Sequence, residues 1–360
     1  MIAEEYAKGM LARNQRLHPK WHYENGCLLL GMAAMYEHTG EQVYLDYVRE
    51  QMDVFINEKG QIATYKIEDY NLDQINQGKL LYWLYDKTGE VRYTLAIYQL
   101  HQQLVQHPKT ADGVFFHKKM YPGQVWLDGL YMASPFLAEY IRRFAFTKNY
   151  DEVIRQFVNT YRHTLDIRTG LLRHAWDETA SQSWANPITG QSPHTWGRAM
   201  GWYLMALVDV LEIIPEEVPG RKFLLEILEA LAPAVLRARD PETGCWFQVM
   251  ECGGREGNYP EASGSIMLIA AMAKAAALGY LPAEYLREME GTFRKFVERF
   301  VKKNSDGYLD IIDICGCAGL GSDPYRTGNY DYYISEPRSV NDYKCTGAFL
   351  QAGILFSELI

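Results

Sequence analysis

A turn pattern recurs along the chain and restricts the fold more than any other feature of the sequence. Each copy places a turn residue and a glycine before alternating apolar residues, which is typical of a short strand or hairpin. Successive copies lie about 50 to 75 residues apart, and the segments between them carry apolar residues at helical spacing. The glycines of the pattern are Gly60, Gly113, Gly170, Gly244 and Gly307. A unit of this length, repeated about six times, predicts a series of helical hairpins.

Helical periodicity covers most of the sequence, and short connections alternate with long ones, so the helices fall into pairs. The predicted helices are 2–15, 25–38, 42–57, 73–87, 91–107, 127–144, 150–164, 196–213, 219–238, 262–278, 283–301 and 343–358. Two of the short connections share the triplet Thr-Gly-Glu, in which the glycine closes one helix and the acid opens the next.

Six such pairs can close into a ring with an inner and an outer helix layer. We therefore predict an all-α fold, an (α/α)6 barrel or six-hairpin toroid, with short strands in the loops at one end. An open solenoid is the alternative, but long aromatic-rich loops at one end favour a closed ring around a funnel. No linker or low-complexity segment interrupts residues 1–360, so we expect a single domain.

The charge of the chain disfavours several classes of partner. A net charge of −9 without a basic block argues against nucleic acid and against anionic membrane surfaces. No apolar run reaches the length of about 18 residues that a membrane span needs. The N-terminal segment lacks a signal-peptide pattern, so we expect a cytoplasmic protein. No feature of the sequence fixes an oligomeric state.

The six cysteines are scattered, and they predict neither a metal site nor a cofactor. They stand at positions 27, 245, 252, 315, 317 and 345, without a CxxC pair. Cys315 and Cys317, separated by one residue, are a weak zinc pattern on their own. We therefore expect free thiols.

Two acidic residues open predicted inner helices. Asp73 lies in "YNLDQINQGKLL" and Asp128 in "VWLDGLYMASPF". Aspartate is a common N-cap, so two helix caps are one interpretation. The other interpretation is catalysis, because two carboxylates in different environments are typical of acid–base chemistry on sugars. The apolar and aromatic neighbours of Asp128 are expected to raise its pKa by desolvation.

The segment "HTWGRAMGW" combines small, aromatic and basic residues. Gly197 and Gly201 form a pair that permits close packing of a neighbouring helix, while Arg198 and Trp202 share another helical face. Arg198 is able to bind a carboxylate through two hydrogen bonds, and Trp196 or Trp202 to stack on a sugar ring. An arginine stacked on a tryptophan for stability alone is the alternative.

Two histidines end extended loop pieces at matching positions of the repeat. His117 closes "DGVFFH" and His174 closes "TGLLRH". A lone histidine is more often structural, but two histidines in register at the funnel end make a binding role about as well supported as a structural one.

Taken together, these junctions resemble glycoside hydrolase family 105, the unsaturated rhamnogalacturonyl hydrolases. The resemblance rests on "LDQINQGK", "FFHK", "VWLDGLYMASPF", "LLRHAWD", "HTWGRAMGW", "EASGS" and "YKCTGAFLQAG", which follow in order along nearly the whole chain. It implies the barrel fold and a small anionic oligosaccharide substrate, with a 4,5-unsaturated uronic acid at the non-reducing end.

The resemblance also implies roles for individual residues. Asp128 matches the acid that protonates C4 of the double bond, after which water adds at C5. Asp73 matches a second acid that orients the substrate or assists the water. The positions that match sugar-binding residues are His117, His174, Trp196, Arg198 and Trp202.

The expected reaction is release of 4,5-unsaturated galacturonic acid from unsaturated rhamnogalacturonan oligosaccharides, with the disaccharide favoured. The sister family 88, unsaturated glucuronyl hydrolases that act on glycosaminoglycan-type disaccharides, is the first alternative, since it shares the barrel and a related chemistry. A toroidal sugar isomerase or binding protein is the second. Isomerases of this architecture usually depend on a histidine pair, whereas the acids occupy the richer motifs in this sequence.

Overall fold

Helices make up most of the structure. The computed structural model describes residues 1–13 and 17–357. In these ranges the α helices are α1 (Ile2–Ala12), α2 (Tyr23–Thr39), α3 (Gln42–Asp53), α4 (Lys79–Thr88), α5 (Val91–Gln106), α6 (Leu127–Phe144), α7 (Asp151–Thr164), α8 (Gly197–Ile213), α9 (Arg221–Arg237), α10 (Ala262–Ala277), α11 (Glu284–Phe300), α12 (Tyr330–Ser335) and α13 (Tyr343–Leu355). Short 3-10 helices span Ile67–Asp69, Leu72–Gly78 and Met250–Cys252.

Six of these segments close into an inner ring. Helix α2 packs on the 3-10 helix Leu72–Gly78, which leads into α4 and packs on α6. Around the ring, α6 then packs on α8, α8 on α10, α10 on α13, and α13 returns to α2. An outer layer of α1, α3, α5, α7, α9 and α11 contacts the inner helices from outside. This arrangement confirms the predicted (α/α)6 barrel.

The two layers differ in how they are buried. Helices α8 and α10 are buried on nearly every face, because inner neighbours flank them and an outer helix covers them. Helices α7 and α11 bury one face only, and their sequences alternate charged with apolar residues at helical spacing. None of the described helices combines the length and the apolar character that crossing a membrane requires.

The recurrent turns form at the predicted positions. All five glycines of the pattern have positive φ values, between 70° and 87°, in the region that glycine adopts most readily. Each turn closes an antiparallel pairing directly after an outer helix: Ile56 with Ile62, Lys109 with Phe115, Leu165 with Leu172, Arg239 with Trp246, and Val301 with Ile311. Every one of these outer helices therefore ends in a small hairpin that leads the chain to the loop end of the barrel.

The strands in the described ranges are short. They are β1 (Gln124–Trp126), β2 (Leu165–Asp166), β3 (Leu171–Leu172), β4 (Ala175–Asp177), β5 (Val301–Lys303), β6 (Leu309–Ile311), β7 (Ile314–Cys315) and β8 (Arg338–Ser339). They pair antiparallel as β1 with β4, β2 with β3, β5 with β6, and β7 with β8. The β1–β4 pair joins two successive long loops, with Trp126 opposite Ala175.

Some predicted boundaries differ from the structure. Segment 73–87 is not one α helix, because the Asn71 side chain accepts the Asp73 amide hydrogen at 3.0 Å and starts a 3-10 helix first. The predicted ends at 15 and 358 lie outside the described residues, and α12 was not predicted. Helix α6 continues through Pro135.

Glycines set the spacing between inner helices α8 and α10. A Cβ at Gly201 would lie 2.6 Å from Met267, and a Cβ at Gly264 would lie 2.7 Å from the backbone of Gly197. Contacts this short leave no room for a side chain. The close packing predicted for the Gly197–Gly201 pair is therefore present.

The ring closes at a still tighter contact. A Cβ at Gly347 of α13 would lie 2.0 Å from the carbonyl oxygen of Cys27 in α2. We expect Gly347→Ala to lower the free energy of unfolding by about 2–3 kcal/mol, since the two helix backbones must separate to admit the methyl group. Denaturant unfolding followed by circular dichroism measures this loss.

The matched control is Gly291→Ala in outer helix α11. A Cβ at Gly291 meets nothing within 4 Å, so the better helix propensity of alanine should raise stability by up to about 1 kcal/mol. If Gly347→Ala were as stable as wild type, the contact between Gly347 and Cys27 would not limit closure of the ring.

Candidate active site

The N-terminal ends of the inner helices meet at the loop end of the barrel. Lys344 at the start of α13 forms an ion pair with Glu24 of α2 at 2.6 Å. On the long-loop side, the His174 carbonyl accepts the amide hydrogen of Leu127 at 3.1 Å. This bond fixes the loop after β3 against the first residue of α6, and so brings His174 next to Asp128.

Asp128 lies in the first turn of α6 and faces His174. Its Oδ2 is 3.3 Å from Nε2 of His174, without the alignment of a hydrogen bond, and neither atom has a hydrogen-bond partner among the described residues. On the other side of the imidazole, the Tyr333 hydroxyl lies 2.7 Å from Nδ1. Burial raises the pKa of Tyr333 well above its usual value, so this hydroxyl keeps its proton and can donate it to Nδ1. A neutral His174 ring that accepts this hydrogen bond carries its own proton on Nε2, the atom nearest Asp128.

The pKa of Asp128 lies below its usual value, so the prediction of a raised pKa was wrong. Burial does raise it, as expected from the apolar neighbours, but His174 and the more distant His117 favour the ionised carboxylate and outweigh burial. The apolar neighbours follow Asp128 in the sequence, whereas both imidazoles come from other parts of the loops. Asp128 is therefore ionised in this arrangement.

Asp73 is a carboxylate with a permanent cation beside it. Its Oδ2 lies 2.6 Å from Nζ of Lys118, and its Oδ1 lies 3.6 Å from Nε2 of His117. Burial raises the pKa of Asp73, but Lys118 and His117 lower it by more. Burial also lowers the pKa of His117 to about 4, so this ring is neutral near pH 7. Asp73 is thus balanced by a full positive charge, whereas the ion-pair partner of Asp128 among the described residues is an imidazole.

Neither acid caps a helix. Trp126 occupies the N-cap position of α6, and no side chain makes a capping hydrogen bond there. At the other junction, Asn71 rather than Asp73 provides the cap. The cap interpretation is therefore wrong for both Asp73 and Asp128.

Aromatic rings enclose the space around the two acids. His117 stacks on Trp126 with ring centroids 4.7 Å apart, and Trp126 stacks on Tyr121 at 5.0 Å. His174 meets the edge of Trp126 at 5.4 Å and a tilted Trp196 at 4.9 Å. Both imidazoles are thus held in fixed orientations by flat neighbours, and both are buried.

Arg198 is 1% exposed and contacts the backbone of the loop at 315–316. Its Nη1 donates to the Cys315 carbonyl at 2.6 Å and to the Ser263 hydroxyl at 3.2 Å, and its Nη2 donates to the Gly316 carbonyl at 3.1 Å. The guanidinium also lies over Trp196, 4.6 Å from the ring centroid. Nη1 uses both of its hydrogens in these bonds and Nη2 uses one, so the two-bond carboxylate contact considered from the sequence stays a prediction. Its Nε is buried without a hydrogen-bond partner among the described residues.

Trp202 lies one helical turn deeper than Arg198. It is 2% exposed and packs on Tyr131 with ring centroids 4.6 Å apart. Below that ring, Nζ of Lys79 lies 3.4 Å from the centroid of Tyr131. Trp202, Tyr131 and Lys79 thus form one buried packed group, and contact of Trp202 with a sugar stays a prediction.

One cluster among the described residues has the composition of a metal site. Ligand-type atoms of His194, Glu251 and Cys252 lie within 4.8 Å of one another. However, Oε1 of Glu251 is bound at 2.8 Å by Nδ1 of His194 and at 2.8 Å by Nη1 of Arg173. A guanidinium at that distance occupies the carboxylate and repels a cation, so this donor set does not fit a resident metal ion.

Two residues that the structure brings into the site were missed from the sequence. Lys118 follows His117 directly in "FFHK", and its basic side chain next to a predicted site residue could have identified it. Tyr333 lies in "NYDYYIS", within a segment interpreted as loop, and its place beside His174 depends on the short helix α12. No local pattern singles out Tyr333 among the 26 tyrosines.

Comparison with known proteins identifies the family. A family model described as Glycosyl Hydrolase Family 88 matches residues 2–359. The chain belongs to this family. A family 105 glycoside hydrolase from C. acetobutylicum ATCC 824 superposes with a TM-score of 0.97 at 42% identity, over 99% of each chain. This similarity confirms the expected relation to family 105.

Further relatives agree with this assignment. "Unsaturated rhamnogalacturonyl hydrolase YesR" of Bacillus subtilis (strain 168) is 24% identical over 312 residues, 81% of this chain and 83% of that protein. The unsaturated glucuronyl hydrolase of Bacillus sp. GL1 shares the fold, with a TM-score of 0.73 at 14% identity over 99% of this chain and 96% of its own. Membership of family 88 makes this chain a glycoside hydrolase, which argues against the sugar-isomerase alternative.

The ion pair of Asp73 predicts a pH-dependent effect on stability. We expect Lys118→Met to lower the free energy of unfolding near pH 7 by about 3 kcal/mol, because it leaves a largely buried carboxylate without its cation. The lowered pKa of Asp73 stabilises the fold above the pKa of the unfolded chain, and this contribution disappears as the pH falls through the folded-state value. The difference in free energy of unfolding between Lys118→Met and wild type should therefore become smaller in acid.

Denaturant unfolding of both proteins from neutral pH to below pH 4 measures this difference. Lys119→Met is the matched control, since the neighbouring side chain is exposed and forms no ion pair within the described residues. A loss of stability in Lys118→Met that stays constant down to the most acidic pH would contradict the role assigned to the pair.

Proposed function

We propose that this family 88 member removes the terminal 4,5-unsaturated galacturonic acid residue from unsaturated rhamnogalacturonan oligosaccharides, with the disaccharide favoured, by hydrating the C4=C5 bond. The observation that carries the proposal is the pair of unlike carboxylates at one end of the barrel. Asp128 contacts an imidazole, while Asp73 is held ionised by Lys118. Unlike carboxylates of this kind suit a reaction that needs one acid and one permanent anion.

Asp128 is the proposed general acid and base. It transfers a proton to C4 of the double bond, which leaves positive charge shared between C5 and the ring oxygen. A water molecule adds at C5 and returns a proton to the Asp128 carboxylate. The hemiketal at C5 then opens to a ketone, and the hemiacetal freed at C1 releases the aglycone. The net change is the addition of water and the loss of the glycosidic bond.

The substrate itself supplies the condition under which Asp128 takes up its proton. The uronic acid is an anion, and a second negative charge beside a buried carboxylate raises the pKa of that carboxylate. Asp128 responds to this charge more readily than Asp73, because Lys118 compensates Asp73 at 2.6 Å. Protonation of Asp128 thereby becomes coupled to binding of the unsaturated acid.

Asp73 and the aromatic walls complete the proposal. An ionised Asp73 stabilises the positive charge that develops after protonation and accepts hydrogen bonds from the sugar or from the attacking water. Trp126 and Trp196 flank His174, and together with His117 they form the proposed sugar-binding walls. The convergent helix N-termini favour an anionic ligand at this end of the barrel.

We also propose that the whole chain acts as one catalytic domain on short imported products in the cytoplasm. The proposed site residues extend from Asp73 to Tyr333, so a smaller part of the chain would lack some of them. The described structure contains free cysteines and no disulfide, which agrees with a reducing compartment.

Replacing the proposed acid tests the mechanism. Asp128→Asn is expected to lower kcat by about 100- to 10,000-fold, since an amide cannot deliver the proton to C4. The measurement is the loss of ultraviolet absorbance of the conjugated double bond, with far-ultraviolet circular dichroism to verify the helical fold. Asp151→Asn, on the exposed first turn of α7, is the control and should keep wild-type turnover. Turnover close to wild type in Asp128→Asn would remove Asp128 from this role.

A substrate panel tests the preference for rhamnogalacturonan. We expect kcat/KM to be higher on the unsaturated rhamnogalacturonan disaccharide than on unsaturated chondroitin- or heparin-type disaccharides, measured by the same absorbance loss. Higher kcat/KM on the glycosaminoglycan disaccharides would assign the protein to the glucuronyl hydrolase alternative instead. Mass spectrometry of the products verifies that two sugars are released.

A further inference from the structure

A network of charged side chains lies behind His174, and the proposed mechanism does not use it. It consists of Asp166, Arg173 and Glu251, whose side chains are 7%, 8% and 12% exposed. Charged groups buried to this extent cost stability unless they are well paired. Their contacts therefore indicate what the network holds in place.

Arg173 precedes His174 directly and joins three chain segments. Its Nη2 donates to Oδ2 of Asp166 at 2.5 Å, and its Nη1 donates to Oε1 of Glu251 at 2.8 Å and also to the carbonyl of Pro193. The planar guanidinium presents several donors in a fixed geometry, which suits it to such a junction. The hairpin of β2 and β3, the loop at 193–195 and the 3-10 helix Met250–Cys252 are thereby connected.

Glu251 contacts the loop at 193–195 from its other side. Its Oε1 lies 2.8 Å from Nδ1 of His194, and both of its carboxylate oxygens lie 3.2 Å from the amide nitrogen of Thr195. In addition, the Met250 amide donates to the Thr195 carbonyl at 3.0 Å. The backbone around His194 is thus held between Arg173 and Glu251.

That backbone in turn positions His174. The His194 carbonyl accepts the amide hydrogen of His174 at 3.1 Å, and the His174 carbonyl accepts that of Leu127, also at 3.1 Å. Leu127 immediately precedes Asp128. A continuous path of hydrogen bonds therefore connects the buried ion pair to both partners of the short Asp128–His174 contact.

We propose that Arg173 and Glu251 are positioning residues that hold the His174 ring between Tyr333 and Asp128. The reasoning is geometric, because the Tyr333 hydroxyl at 2.7 Å and the Asp128 carboxylate at 3.3 Å tolerate little movement of the ring. Without the ion pair, the ring leaves the Tyr333 hydroxyl and no longer keeps its proton on Nε2. The expected effect on turnover rests on the proposed function, whereas the effect on the ring does not.

The test replaces the ion pair by an apolar pair of similar size. In the double variant Arg173→Met/Glu251→Met the packing volume is largely kept and Asp166 retains Arg168 at 3.2 Å, so we expect a folded protein of lower stability than wild type. We expect kcat to fall by about 10- to 100-fold with little change in KM, because substrate contacts remain while the acid loses its oriented partner. The single variant Glu251→Gln should show a smaller fall in kcat, again with little change in KM. It replaces the double variant in this test if the double variant does not fold.

The ring 15N shifts of His174 provide a readout that does not depend on turnover. In the wild type they should show a proton on Nε2 and an unprotonated Nδ1, with the signal assigned by its loss in His174→Gln. The apolar pair should give a mixture of both tautomers. A control removes the ion pair of Arg239 and Glu288, which lies 2.6 Å apart outside the site, and Arg239→Met/Glu288→Met should keep the wild-type spectrum and kcat.

A wild-type tautomer together with wild-type kcat in the folded double variant would overturn the positioning role. A wild-type enzyme inactive on every unsaturated substrate would instead contradict the proposed function, while the 15N spectra would still decide the role of Arg173 and Glu251.

Discussion

Closure of the inner helix ring is the constraint on which the rest of the structure depends. The first and last inner helices, α2 and α13, touch where Gly347 lies against the carbonyl of Cys27, at a distance that admits no side chain. Because the ring closes there, the N-termini of the inner helices converge at one end. Residues far apart in sequence, such as Glu24 and Lys344, then become ion-pair partners.

Within this ring, the two carboxylates differ because of their partners and not because of their burial. Lys118 gives Asp73 a permanent positive neighbour, while Asp128 contacts an imidazole whose other ring nitrogen lies 2.7 Å from the Tyr333 hydroxyl. A fixed ion pair keeps its charge when a ligand arrives, whereas an imidazole contact is weak enough for an incoming anion to shift the balance. This asymmetry is the basis of the proposal that one acid changes its protonation state while the other does not.

The error about the pKa of Asp128 has an instructive cause. The sequence predicts desolvation correctly, because the apolar residues that cause it are neighbours of Asp128 along the chain. It does not predict the opposing contribution of His174, since that residue approaches only through the β1–β4 pairing and the His174–Leu127 hydrogen bond. The direction in which the pKa of Asp128 moves depends on the difference between desolvation and the effect of His174, and the sequence indicates only desolvation.

The sequence by itself determined the barrel, the positions of the hairpin turns and the junctions where site residues collect. These features follow from local properties, namely helical periodicity and the backbone freedom of glycines such as Gly113 and Gly170. Only the tertiary structure decided which side chains meet: Lys118 with Asp73, Tyr333 with His174, and Arg198 with the backbone at 315–316 instead of a free funnel surface. Such pairings depend on distances of a few ångströms between separate loops, and those distances are fixed by closure of the ring and not by any single segment.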